Sequence, residues 1–155
     1  DPRDLHSFPT RRSSDLPFRR HDTSVRAAGL FFAPTDLLDF DGRVFDFIAA
    51  EGASLQRLLF DDGIPVGGDA ERRLRLERLS PARQIKTAPP VPFLLIHGDA
   101  DPVVPLEQSR KFAAALRAAG GEAEVRIKPG GRHAWPGIHE DAAFLAAWLE
   151  EKTGV

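Results

Sequence analysis

Two short stretches of the chain hold side chains suited to proton transfer. "HGDADPVVP", His97 to Pro105, carries an imidazole and two carboxylates, Asp99 and Asp101. "PGGRHAWPG", Pro129 to Gly137, carries His133. A carboxylate and an imidazole on neighbouring loops suit nucleophilic catalysis. A neutral imidazole takes the proton from a hydroxyl, while a carboxylate on its other nitrogen fixes the tautomer and stabilises the imidazolium. Either Asp could supply that carboxylate, and the other would then be a turn former. His97 lies at a strand end and reads as structural. A metal site built from His97, Asp99 and Asp101 matches no standard ligand spacing, so neither a metal nor a cofactor is expected. With no Cys in the chain, thiolate chemistry and disulfides are excluded.

Each of these loops needs a strand to deliver it. "VRAAGLFF", Val25 to Phe32, is an apolar run ended by "APTD" and reads as a buried strand. Phe93 to Ile96 is a second buried strand, leading into the Asp loop. "AEVRIK", Ala123 to Lys128, alternates as a third, with Val125 and Ile127 on one face, and leads into the His loop. Between them "PLEQSRKFAAALRAAG" predicts an amphipathic helix from Pro105 to Ala119, with apolar positions Phe112, Ala115, Leu116 and Ala119 and a Gly120-Gly121 stop. "HEDAAFLAAWLEEKTG" predicts a closing helix with the stripe Ala143, Phe144, Ala147 and Trp148. Strands alternating with helices imply an α/β architecture, about three parallel strands with flanking helices. In such sheets functional groups gather at the C-terminal edge of the strands, where both loops fall. The stretch 37–90 is irregular, mostly helical, and includes the charged helix "AERRLRLERLSPARQI".

The chain opens differently. "HSFPTRRSSDL", His6 to Leu16, has no hydrophobic period and resembles a translated sequencing adapter. Residues 1–16 are therefore expected to be adapter-derived and disordered, leaving 17–155 as the C-terminal portion of one domain. The three Arg and three Asp of that segment cancel, so the net charge of −2 belongs to the rest of the chain. That balance gives no electrostatic case for nucleic acid or an anionic membrane. No apolar run approaches the ~20 residues of a membrane span. Trp135 either walls a substrate pocket or packs; Asp36 in "PTD" reads as a turn former; His21 and His139 read as surface residues.

"FLLIHGDADPVVPLEQS" and "GGRHAWPG" resemble the acid and histidine loops of the α/β-hydrolase superfamily, in its esterase, dienelactone-hydrolase and prolyl-oligopeptidase-like branches. "VRAAGLFFAPTDLLDF" resembles the strand and turn after the nucleophile helix in feruloyl- and acetyl-type esterases. The resemblance implies a C-terminal portion of an α/β-hydrolase fold, with 37–90 as a lid-like insertion. It places the catalytic acid on Asp101 and the base on His133, in a serine hydrolase that cleaves carboxylic esters without a cofactor. Its alternatives are a prolyl-oligopeptidase-like serine peptidase, or a non-catalytic binding protein of the same fold. The implied partner is a small-molecule ester or peptide. The family's G-x-S-x-G nucleophile motif does not occur in these residues. Ser54 in "EGASLQ" has Gly52 before it, but Gln56 stands where the second Gly belongs. The resemblance therefore implies a missing Ser and oxyanion hole, and no ester hydrolysis by this chain alone.

Overall fold

The computed structural model describes residues 24–42, 69–87, 89 and 91–154. Three strands form one parallel sheet in the order β1-β2-β3: β1 (Ala28–Phe31), β2 (Phe93–Gly98) and β3 (Ala123–Lys128). β2 is central, so its residues face packed layers on both sides. That explains why it reads as a continuous apolar run, with Leu94, Leu95 and Ile96 fully buried. Its register sets Leu95 beside Leu30 of β1 and Val125 of β3, and Ile96 beside Phe31 and Arg126.

The alternation of strand side chains divides the sheet between two helices. On one side lies α3 (Glu107–Ala118), whose Phe112, Ala113 and Leu116 pack with Leu95, Ala123, Leu30 and Val125. On the other lies α4 (Ile138–Thr153), whose Leu145, Trp148 and Leu149 pack with Leu94, Ile96 and Phe31. Two further helices precede β2: α1 (Asp69–Arg78) and the single turn α2 (Pro81–Gln84). Ala82 and Ile85 join the α3 side of the core. Among the described residues, no helix is long and apolar enough to cross a membrane.

The element boundaries depart from the sequence reading in instructive ways. β1 is shorter than Val25–Phe32, because Phe32 turns out of the strand at φ 34°. β2 runs on past Ile96 through His97 and Gly98, which keep their register with Ile127 and Lys128. α3 begins at Glu107 and ends as expected at the glycines. Gly120 has φ 88°, and the Gly121 N–H returns to the Leu116 carbonyl. The closing helix differs most. Of the predicted stripe only Trp148 is buried, and the inward face runs through Asp141, Leu145, Trp148 and Leu149. Phe144 instead lies under the Arg126 guanidinium, 3.9 Å from ring centroid to Cζ. The expected adapter segment 1–16, His21 and residues 43–68, 88 and 90 of the expected insertion lie outside the described residues.

Candidate active site

The C-terminal ends of the three strands bring three segments together. β1 delivers Phe32, β2 the Asp loop, and β3 the His loop. The two loops are laced by backbone. The Asp99 N–H donates to the Lys128 carbonyl, the Ala100 N–H to the Gly131 carbonyl, and the Gly130 N–H to Asp99 Oδ1 at 2.6 Å. This lacing requires Gly98: a Cβ there would stand 2.1 Å from the Gly131 carbonyl oxygen. Asp99 is thus engaged as a seam residue, accepting from the opposite loop.

Asp101 faces His133 instead. Its Oδ2 lies 2.9 Å from His133 Nδ1, and its Oδ1 accepts the N–H groups of Val103 (2.8 Å) and Val104 (3.0 Å). The Asp101 side chain has no solvent exposure. Burial on its own would raise this carboxyl. The Val104 and Val103 amides and the His133 imidazole outweigh burial and hold it below the ordinary carboxylate value. An ionised carboxylate only accepts, so Nδ1 of His133 carries the proton and Nε2 is left as the basic nitrogen. Among the described residues nothing hydrogen-bonds Nε2, and the side chain is 34% exposed.

His133 is held from the other side by aromatic packing. Its ring centroid is 4.2 Å from that of Phe32, which stacks edge-on against Trp135. The sequence left Trp135 between pocket wall and packing, and the structure packs it. It is 5% exposed, between Phe31 and Phe32, with its indole N–H donated to Asp141 Oδ2 at 3.0 Å. Asp141 also receives Lys128 Nζ at 3.1 Å and Arg126 Nε at 3.4 Å. Its burial would raise the carboxyl, and Trp135, Lys128 and Arg126 together bring it below the ordinary value. The His loop is therefore pinned to α4 through one buried carboxylate. Ala134, between His133 and Trp135, adopts φ 56°, a left-handed conformation costly for a residue with a Cβ.

The Asp loop is pinned to α3. His97 is fully buried, with Nδ1 2.7 Å from Ser109 Oγ and Nε2 2.9 Å from the Val104 carbonyl. Gln108, also fully buried, accepts the N–H groups of Thr35 and Asp36 on Oε1 and donates to the Asp39 carbonyl. It fastens the turn after β1 to the same helix. Asp36 caps that turn as the sequence suggests, accepting from Leu38 and Asp39, and pairs with Arg83 at 2.6 Å. His139 is exposed, as expected.

Phe32, Gln108, Ser109 and Asp141 were not singled out by sequence reasoning. A signal existed for three of them. Gln108 and Ser109 fall on the stripe that continues through Phe112 and Leu116, and Asp141 falls on the one that continues through Leu145 and Trp148. A polar residue on a buried stripe has a partner inside. Among the described residues, no group of His, Asp and Glu could hold a metal ion.

The sheet, its flanking helices and its edge loops are part of an α/β-hydrolase fold. A truncated carbohydrate esterase from gut microbiota superposes with a TM-score of 0.60 at 23% identity, over 81% of this chain and 43% of that one. The butyrate-bound esterase of the planctomycete Thermogutta terrifontis gives 0.55 at 23% identity, over 84% and 45%. A puromycin-hydrolysing peptidase of Mycobacterium tuberculosis gives 0.57 at 28% identity, over 82% of this chain and 18% of its own. The chain thus spans less than half the length of each. No curated protein matches it. The sequence pattern of the prolyl oligopeptidase family matches residues 45–155, which include both loops and most of the sheet, and the chain belongs to that family.

Proposed function

We propose that Asp101 and His133 are the acid and base of a Ser-Asp-His triad that hydrolyses carboxylic esters of small molecules. The observation that carries this reading is the 2.9 Å contact between Asp101 Oδ2 and His133 Nδ1, with Nε2 unengaged among the described residues. In this reading Nε2 takes the proton of a serine hydroxyl as its oxygen attacks the ester carbonyl, forming the new C–O bond. The imidazolium then gives that proton to the departing alkoxide as the ester C–O bond breaks. A water molecule repeats the sequence on the acyl-serine. Asp101 stays ionised throughout. The serine and the oxyanion hole come from outside these 155 residues, which by themselves turn over no ester. The stretch 37–90 serves as a lid-like insertion in the same proposal.

Peptide-bond cleavage is the second reading. The family match and the 28% identity to the puromycin-hydrolysing peptidase favour it. Both readings use the same pair and differ in the leaving group.

The experiment uses the protein completed with its serine-bearing segment, recovered from the source DNA. Turnover is compared on a p-nitrophenyl ester and a peptidyl p-nitroanilide. Faster ester turnover supports the first reading, faster anilide turnover the second. Asp101→Asn should lower kcat by about 10⁴-fold, some ~5 kcal/mol of transition-state stabilisation, because the wrong imidazole tautomer is then favoured. Asp99→Asn should cost roughly tenfold at most, since it perturbs a turn. A crippling Asp99→Asn with a mild Asp101→Asn would overturn the assignment.

A further inference from the structure

His97 has no place in the proton relay, yet it is the most fully enclosed titratable group near it. Its environment fixes its state. The Val104 carbonyl can only accept, so Nε2, 2.9 Å away, carries a proton. Nδ1 faces the Ser109 hydroxyl at 2.7 Å, which donates to it. Burial opposes the imidazolium and holds His97 below its ordinary value against the Val104 carbonyl and Asp101, which favour the charge; His133 adds to the lowering. His97 is therefore neutral and locked as one tautomer.

That tautomer acts on the Asp loop at one peptide. Val104 donates its N–H to Asp101 Oδ1 and accepts from His97 on its C=O, so it is clamped between the two side chains. His97 Nε2 also stands 3.6 Å from Asp101 Oδ2, the oxygen that faces His133. A neutral ring at that distance leaves the carboxylate to His133. A charged one would compete for it.

We infer that His97 is a positioning residue for the Asp101–His133 pair: oriented by Ser109, it anchors the Val104 carbonyl and so fixes the carboxylate for His133 alone. The inference rests on the reading of Asp101 and His133 as acid and base. A buried histidine that only fills space would leave the behaviour of His133 unchanged when replaced by a ring of similar size, and this separates the two roles.

The test is imidazole nitrogen NMR on the full 155-residue chain labelled at histidine. In the unsubstituted chain, His97 should show a protonated Nε2 and a bare Nδ1 at neutral pH. An imidazolium, or the opposite tautomer, would overturn the inference at once. His97→Phe keeps the ring and removes both nitrogens. It should abolish the low-field Nδ1–H resonance that His133 owes to its bond with Asp101. His97→Gln, whose amide can still donate to the Val104 carbonyl, should restore that resonance. Unchanged His133 signals in folded His97→Phe would refute the positioning role. Should that variant not fold, Ser109→Ala gives the same decision: mixed tautomers at His97 with loss of the low-field His133 Nδ1–H resonance support the inference, and an unaltered His133 resonance defeats it. The outcome is independent of turnover. Loss of the acid–base reading would show instead as His133→Ala retaining ester and anilide hydrolysis in the completed protein.

Discussion

Asp101 and His133 sit 2.9 Å apart but are supported by opposite layers of the molecule, in different chemical styles. Behind Asp101 lie His97 and Ser109 of α3, both buried and joined by a hydrogen bond between uncharged groups. Behind His133 lies Asp141 of α4, a buried carboxylate facing two cations and an indole N–H. The contrast follows from what each support faces. The α3 network is closed in by the central strand, where an unbalanced charge would cost several kcal/mol, and neutral partners avoid that cost. Asp141 faces the outer strand β3, where Arg126 and Lys128 reach it with side chains still 44% and 35% exposed. Both designs hold a loop. They should fail under different conditions.

The largest effect should come at the seam where both regions meet. Gly98→Ala drives a methyl onto the backbone of Gly131, with no flexible side chain to move aside. The loops must separate, breaking the Ala100–Gly131 and Asp99–Gly130 bonds. A loss of about 3 kcal/mol in urea unfolding is expected, together with loss of the Asp101–His133 contact. A stable variant with an intact His133 Nδ1–H signal would show that the loops are held by their layers and not by each other.

How much of this could be read from the sequence varies by level. The three strands and two main helices were legible because each carries an apolar run or a periodic apolar pattern. Asp101 and His133 were singled out through the resemblance, with Asp99 as a competitor, and the structure brings those two together. Only the lacing of the loops shows Asp99 facing Gly130. The closing helix misled because Ala143 and Ala147 look apolar yet are too small to define a face. Asp141, the residue that defines it, looks like solvent-facing charge. Gln108 and Ser109 were hidden likewise. Hydrophobic periodicity detects burial by transfer free energy and is blind to polar groups whose burial is offset by a partner.

Acid should separate the two supports by pH window. His97 is depressed in the folded chain from its ordinary 6.5, so the unfolded chain binds the proton more readily. Stability from its burial is complete above about pH 6.5 and declines as pH falls toward the folded value. Asp141 is depressed from its ordinary 3.8, so its contribution holds above about pH 4 and declines only below that. Denaturant midpoints measured from pH 7 to pH 3 should then fall in two stages. His97→Gln should flatten the first stage. Asp141→Asn should flatten part of the second, since Asp101 and Asp39 are also depressed and still titrate there. At neutral pH, Asp141→Asn should cost about 2 kcal/mol, because Lys128 and Arg126 lose their counter-charge and the Trp135 N–H loses a charged acceptor. A single stage abolished by one substitution would mean that the two supports do not act separately.

The smallest effect concerns salt. Arg126 is one of two cations on Asp141, its Nε 3.4 Å away, with a side chain 44% exposed. Solvent screens such a pair, so Arg126→Gln should cost about 0.5 kcal/mol at low ionic strength, part of it from lost stacking over Phe144. Raising salt to about 1 M shortens the screening length to roughly 3 Å and should erase most of the ionic part of that difference. Ser109→Ala removes a neutral, fully buried hydrogen bond on the other layer, and its cost of about 1 kcal/mol should not change with salt. The measurement is the difference in urea midpoint between each variant and the unsubstituted chain, at low and high salt. Equal salt sensitivity of the two variants would remove the distinction between a charged and a neutral support, and would point to a solvent path reaching Ser109.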